Sequence, residues 1–445
     1  MTTRASTALL TDRYELTMIE AALADGTADR PCVFEVFARR LPDGRRYGVV
    51  AGTGRLLEAI ADFRFGQEEL DWLRENAIVG EQTLAYLADY RFRGSITGYA
   101  EGELYFPGSP LLVVEASFAD GVILETLALS ILNYDSAVAA AASRMTAAAG
   151  ERPCLEMGSR RAQEHAAVAA ARATAVAGFS GTSNLEAGRR YGLHTIGTAA
   201  HAFTLLHDDE RSAFVSQVAS AGVGTTLLVD TYDVEQGVIT AVDAAGTSLG
   251  AVRLDSGDLT TVAREVREQL DGLGATGTRI VVSSDLDEYA IAALAVAPVD
   301  SYGVGTSVVT GSGAPTCGMV YKLVLREGDD GAMHAVAKAS AGGKSSVGGR
   351  KVAGRRIENG LATEEVVLLS PDADIPALDQ VAEVAELRPL HVALVVDGVV
   401  DERFTGPEGV RRATERHAAS VRELPRAALR LSAGEPAIPT EVVTV

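Results

Sequence analysis

The sequence predicts an α/β protein whose core is a parallel sheet, either open or closed into a barrel. An N-terminal α+β domain precedes the core and a small C-terminal α+β extension follows it. Three observations carry this prediction. Between residues 178 and 310 short apolar runs alternate with helical runs, the pattern of successive β-α units. Polar residues collect just after the apolar runs, where α/β barrels place their active sites. The texture changes on both sides of this stretch, which sets expected domains at 1–118, 119–330 and 331–445.

Each element follows from its local pattern. Residues 31–39, PCVFEVFAR, are rich in Val and Phe and read as a strand. Residues 48–62 and 67–77 read as helices. The stretch from about 92 to 116 is strand-like, punctuated by Gly102, Pro107, Gly108 and Pro110. Residues 120–149 and 163–177 are Ala-rich and helical. Strands are expected at 193–197, 225–229, 249–254, 278–282 and 299–304, and helices at 208–220, 233–244, 257–272 and 286–296. Beyond 357, VALVVDGVVDERF has the strand–Asp-Gly–strand form of a hairpin, and PEGVRRATERHAASVREL is an amphipathic helix.

Composition narrows the function. The 445 residues carry 40 Lys+Arg against 60 Asp+Glu, a formal charge of −20, which argues against a broad basic face for nucleic acid. Residues 331–356 are the exception. They hold Lys338, Lys344, Arg350, Lys351, Arg355 and Arg356 and no acid, so this run is +6 and the remainder −26. Three scattered cysteines, Cys32, Cys154 and Cys317, make neither a disulfide framework nor a zinc site. Asp12, Arg13, Glu15 and Glu20 interrupt any apolar signal-peptide core, and Glu125 breaks the most apolar helical stretch. No run reaches the ~18 apolar residues of a membrane span. A cytoplasmic enzyme with no membrane partner is expected.

The chemistry-bearing residues follow the apolar runs. His201 lies in GTAAHAF, among small residues that let a ligand approach the backbone. In RLDSGDL, Arg253 ends a strand and Asp255 follows; Asp255 or Ser256 would serve as a helix N-cap on the plainest reading. Capping does not call for Arg253, whose guanidinium suits carboxylate or phosphate. In SSDLDE, Asp285 suits sugar hydroxyls or a Mg²⁺ shell, or again a cap. YGVGTS supplies Gly303, Gly305 and Thr306, a turn able to cradle phosphate with backbone N–H groups. Together these fit a ligand with phosphates and a ribose.

In this order and spacing, the segments TDRYELTM, FEVFARRLPDGRRYGVVAG, EMGSRRAQ, SGTSNLEAGRRYG, GTAAHAF, VDTYD, VRLDSGDL, SSDLDE, GVGTSVVT and the K-x-S region from Lys338 resemble nicotinate phosphoribosyltransferase over nearly the whole chain. The resemblance implies a β/α barrel-like phosphoribosyltransferase core. It implies a reaction that joins nicotinate to phosphoribosyl pyrophosphate, with ATP as co-substrate, Mg²⁺ as cofactor, and a homodimer with interface active sites. By the same resemblance His201 is phosphorylated by ATP, and Tyr14 stacks on the pyridine ring from the partner subunit. Arg160 and Arg253 lie near the ring and phosphoribosyl group, and Thr198 in the nicotinate site. Asp255 and Asp230 fall in the ribose and Mg²⁺ region. Ser284, Asp285, Gly305 and Thr306 match the ribose and 5′-phosphate loops. The direct metal ligands stay unassigned. Related nicotinamide enzymes carry an aspartate after the Gly-Thr of one loop. Here the loop is Gly181-Thr182-Ser183-Asn184, so Ser183 spares a carboxylate that repulsion.

Other readings are nicotinamide as substrate on the same fold, a catalytically silent nucleotide-binding barrel, and an unrelated sugar-phosphate barrel. The second would be expected to have lost His201, Asp255 or Arg253, and the third leaves DRYELTM unexplained. The basic run is read as partly phosphate-facing, with Lys338 and Lys344 its candidates.

Overall fold

The computed structural model describes residues 6–338, 346–371, 380–381 and 386–445. Two compact units result: residues 141–313 form one, and residues 1–140 together with 314–445 form the other. This differs from the expected three-part division. The C-terminal residues return to the N-terminal ones and complete their sheet, so they make no unit of their own.

The 141–313 unit carries the expected parallel sheet. Six strands lie in the spatial order Gly181–Thr182, Cys154–Glu156, Ser301–Val304, Arg279–Ser284, Ala251–Leu254, Thr226–Leu228, all parallel. Followed in chain order they would form a ring, open at one seam between Gly181–Thr182 and Thr226–Leu228. The 193–197 run falls at that seam. It was expected to be a strand, but it has a neighbour on one side only and makes a single bridge, Thr182 to Thr195. Buried Val252, Leu254, Ile280, Val282, Tyr302 and Val304 alternate with residues that face the other side of the sheet, as period-2 geometry requires. The helices Glu210–Ala221, Val234–Ala245, Leu259–Gly272 and Glu288–Ala293 fill the predicted connections. The strands Cys154–Glu156 and Gly181–Thr182 are too short to show periodicity in the sequence.

The other unit is built on an antiparallel seven-stranded sheet. Its strands Pro31–Ala38, Leu112–Ser117 and Ser95–Tyr99 come from the N-terminal part, and Met319–Glu327, Met333–Ala335, His391–Val396 and Val399–Val400 from the C-terminal part. The Asp-Gly hairpin forms as expected: Asp397 and Gly398 both take positive φ, 48° and 78°, as a two-residue turn with primed geometry needs. The helical stretch Phe118–Ala149 is long and apolar enough to cross a membrane, against the expectation that none is. Yet 67% of its most apolar 18-residue window is buried inside the protein, as in a core helix.

The basic run divides into paired cations and the two lysines read as phosphate-facing. Four of its six cations are committed to ion pairs on the strand Arg350–Glu358. Arg350 reaches Glu115 at 2.7 Å, Lys351 reaches Glu35 at 2.7 Å, and Arg356 pairs with Glu364. Arg355, with no exposed surface, bonds Glu103 at 2.8 Å and Glu365 at 2.7 Å. Lys338 is exposed. Lys344 lies outside the described residues. Lys351 and Arg355 thus form an interior electrostatic clasp that ties the returning chain to Glu35 and Glu103 of the N-terminal elements.

Around Glu103, burial alone would raise the carboxyl. Arg355, Arg388 and the Ser420 hydroxyl outweigh it and hold the pKa at about 2. A depressed folded-state pKa gives stability that is whole above the ordinary value of 4.5 and is lost as pH falls toward 2. Acid unfolding should follow that window. Arg355→Met leaves Glu103 with Arg388 alone and takes the Arg355 guanidinium from buried Glu365, and it should cost about 3–5 kcal/mol in denaturant unfolding at neutral pH. A loss below about 1 kcal/mol would show that the clasp does not carry the unit's stability.

Candidate active site

Parallel strands end on one side, so the loops after them converge. In the 141–313 unit they enclose a cavity of about 860 Å³. From the strand Cys154–Glu156 come Met157, Ser159, Arg160 and Arg161; from Gly181–Thr182 comes Ser183. The seam segment contributes Thr195 to Ala200, including Thr198. Ala251–Leu254 supplies Arg253 and, just beyond it, Asp255; Arg279–Ser284 supplies Ser283 and Ser284, followed by Asp285. Gly303, Gly305 and Thr306 close the ring.

Of the residues singled out in the sequence, Arg160, Ser183, Thr198, Arg253, Asp255, Ser284, Asp285, Gly305 and Thr306 line this one cavity. Asp230 and His201 stand behind it. The Asp230 side chain is only 1% exposed. Its Oδ2 accepts the Asp255 backbone N–H at 2.8 Å and the Ser256 hydroxyl at 2.8 Å. Its Oδ1 lies 4.0 Å from His201 Nε2 and has no hydrogen-bond partner. His201 Nδ1 sits 3.1 Å from the Thr231 hydroxyl, which leaves Nε2 on the Asp230 side. Asp255 Oδ1 accepts the Ser283 hydroxyl at 2.6 Å. Arg253 donates to Thr198 Oγ1 at 3.1 Å, while its buried Nε has no partner. Burial pulls the Arg253 guanidinium down; Asp255 and Asp230 oppose this and Arg160 adds to it. Burial, then Asp230 and Asp233, push the nearby Glu210 carboxyl up.

The caps resolve the plain readings of the motifs. The helix Leu259–Gly272 is capped by Asp258, which accepts from Thr260 and Thr261, so neither Asp255 nor Ser256 caps it. The helix Glu288–Ala293 is capped by Asp287, so Asp285 is released into the cavity. In the glycine turn the tight position is Gly303: a Cβ there would meet Met157 Sδ at 2.8 Å, whereas one at Gly305 would meet nothing closer than 3.6 Å.

Tyr14 and Lys338 belong to the other unit, and neither lines the cavity. Tyr14 is 45% exposed on the helix Arg13–Asp25, with its hydroxyl pushed up to about 12 by burial and then by Glu125 and Glu15. The sequence reading missed Met157, Ser159, Thr195, Ile196 and Ser283; of these, Met157 and Ser159 sit inside the EMGSRRAQ segment and were open to notice. Among the described residues no group of three or more His, Cys, Asp or Glu is arranged to hold a metal ion by itself.

A cavity lined by Arg160, Arg161 and Arg253 and by the carboxylates Asp255 and Asp285 suits an anion that brings hydroxyls or a cation with it. Known proteins agree on the family. Residues 9–133 match the family model described as the nicotinate phosphoribosyltransferase (NAPRTase) N-terminal domain. The chain is 56% identical over 444 residues to nicotinate phosphoribosyltransferase pncB1 of Mycobacterium tuberculosis, covering 98% of this chain and 95% of that one. It is 37% identical over 355 residues to nicotinate phosphoribosyltransferase of Bacillus subtilis, covering 78% and 72%. The crystal structure of human nicotinic acid phosphoribosyltransferase superimposes with a TM-score of 0.80 over 98% of this chain and 97% of that one; at 24% identity this match speaks for the fold.

Inorganic pyrophosphate should therefore bind in the cavity and raise the melting temperature. Arg253→Ala should weaken that binding by at least about tenfold in calorimetric titration, the scale of one lost charge-assisted hydrogen bond. Equal affinity in parent and variant would remove Arg253 from the anion site.

Proposed function

The chain belongs to the nicotinate phosphoribosyltransferase family, and on that premise we propose that it makes nicotinate mononucleotide and pyrophosphate from nicotinate and 5-phosphoribosyl 1-pyrophosphate, with ATP hydrolysed to ADP and phosphate alongside. The observation that carries the reading is the convergence of Arg160, Arg253, Ser183 and Thr198 with Asp255, Ser284, Asp285, Gly305 and Thr306 on one cavity. The first group offers cations and neutral hydroxyls to a pyridine carboxylate. The second offers hydroxyl-binding acids and a turn for phosphate.

In the transfer, the ring nitrogen forms a bond to the ribose anomeric carbon as the bond from that carbon to pyrophosphate breaks. Positive charge grows on the sugar and negative charge on the leaving group. Asp255 is held by Ser283 and through the Asp230 carboxylate, so it needs little reorganisation to face that developing positive charge. Arg253 faces the negative charge. Orientation by Arg160 and Thr198 supplies proximity.

Mg²⁺ typically takes one or two carboxylates plus substrate phosphate oxygens in place of an all-protein cage. The unpartnered Oδ1 of Asp230 and the free-standing Asp285 fit that donor set. Bound there with pyrophosphate, the ion would neutralise charge on the leaving group.

His201 is the proposed phosphoryl acceptor. In the tautomer whose Nδ1 donates to the Thr231 hydroxyl, Nε2 carries the lone pair needed for attack. It attacks the terminal phosphorus of ATP, the bond from that phosphorus to ADP breaks, and water later releases phosphate and regenerates the imidazole. The enzyme is further read as a cytoplasmic homodimer acting in NAD salvage, with Tyr14 of each protomer serving its partner's ring site.

Product analysis with nicotinate, phosphoribosyl pyrophosphate and Mg²⁺, with and without ATP, tests the reading. Nicotinate mononucleotide should form in both mixtures and faster with ATP, and label from [γ-³²P]ATP should appear on the parent protein but not on His201→Ala. No mononucleotide in either mixture would overturn the reaction; label retained in His201→Ala would overturn the phosphohistidine.

A further inference from the structure

One buried carboxylate in the site unit is not used by the chemistry above. Glu156 ends the strand Cys154–Glu156 and has no exposed surface. No cation bonds it among the described residues, and burial pushes its carboxyl up against the pull of two neutral donors. Those donors lie on two different cavity loops. Oε1 accepts the Gly158 backbone N–H, from the loop that carries Ser159, Arg160 and Arg161. Oε2 accepts the Thr182 hydroxyl, from the loop that carries Ser183.

The surrounding bonds fix the direction of that second contact. Thr182 Oγ1 already accepts the Asn184 backbone N–H at 3.0 Å, so its own proton is free to go to Glu156. The Glu156 carbonyl accepts the Ser183 N–H at 2.8 Å, and Asn184 Nδ2 donates to the Ser159 hydroxyl at 3.0 Å. Gly158 is pressed onto the third loop: a Cβ there would lie 2.3 Å from Val309 Cγ1 and 2.9 Å from the Gly305 carbonyl. Packing thus limits the 157–161 loop on that side, and the bond from the Gly158 amide to Glu156 fixes it toward the Gly181–Thr182 strand.

We propose that Glu156 is a positioning residue for the base-binding end of the cavity, setting the spacing between Arg160 and Ser183 by holding their two loops to one carboxylate. This rests on the reading of the cavity given under Proposed function. A buried carboxylate suits the task because two donors on separate loops need two acceptors on one rigid group. Glutamine keeps one acceptor for the Gly158 amide. Its NH₂ can donate to Thr182 Oγ1, which has a lone pair to spare once its proton turns away. Alanine keeps neither and leaves a buried N–H unsatisfied.

Steady-state kinetics on the full-length enzyme tests this. Turnover of nicotinate by the parent checks the reading itself; the pattern in the variants checks the proposal. Glu156→Ala should raise KM for nicotinate at least about tenfold while KM for phosphoribosyl pyrophosphate and kcat stay within about threefold. Glu156→Gln should return the nicotinate KM to within about threefold of the parent. If Glu156→Ala does not fold, Thr182→Val removes one of the two donors and should show the same selective rise. A nicotinate KM unchanged in the alanine or valine variant, both KM values rising together, or no recovery in Glu156→Gln would each overturn the proposal.

Discussion

The carboxylate of Asp230 joins the parts of the pocket that have to act together. One oxygen holds the Asp255 amide and the Ser256 hydroxyl, which are the first groups beyond the next strand; the other faces His201. Parallel strands make this possible. Neighbouring strands end at the same level, so a short side chain after one strand reaches the backbone after the next. The link passes onward from Asp255 to Ser283, one strand further. Three successive strands thus present their loops as one rigid rim, and the ligand meets groups that are already in place. The orphaned Oδ1 of Asp230 and Nε of Arg253 are the cost of that arrangement, since buried polar atoms are rarely left unpaired away from ligand sites.

The same rim explains why the motifs hold acids in pairs. After four of these strands one polar residue enters or backs the cavity and a nearby one caps the following helix. Asp255 and Asp258 divide the work this way, as do Asp285 and Asp287, and Asp230 and Asp233. In Ser183 and Asn184 the same division appears with neutral side chains: the asparagine caps Leu185–Tyr191 and the serine lines the cavity. A cap needs a short acceptor next to the first free N–H groups, and that requirement picks out the member of each pair adjoining the helix. The other member is left to the ligand.

Much of this was legible in the sequence, for identifiable reasons. Alternating apolar and helical runs gave the parallel unit because three of its strands, Ala251–Leu254, Arg279–Ser284 and Ser301–Val304, are long enough to show a pattern. The Asp397-Gly398 hairpin was legible because positive φ restricts residue choice. What escaped notice was either too short or too distant. Strands of two or three residues leave no period, and the 193–197 run is apolar but meets the open seam. The return of the C-terminal strands to the N-terminal sheet depends on contacts hundreds of residues apart, such as Lys351 with Glu35. For the same reason the basic run looked like a ligand surface. Four of its charges answer acids elsewhere in the chain, those of Lys351 and Arg355 buried ones, and a local count of +6 has no knowledge of them. The cations that line the cavity are Arg160, Arg161 and Arg253, three arginines that no compositional window singles out.

On the proposed function this pocket accepts a pyridine carboxylate and not the neutral amide, because arginines and the neutral Ser183 line it where an acid would favour the amide. The most direct measurement is kcat/KM for nicotinate against nicotinamide, in the parent and in Ser183→Asp. Nicotinate should be favoured by at least about a hundredfold in the parent, and the introduced carboxylate should cut its kcat/KM by at least about tenfold. Comparable use of the two bases by the parent, or an unchanged ratio in Ser183→Asp, would contradict it.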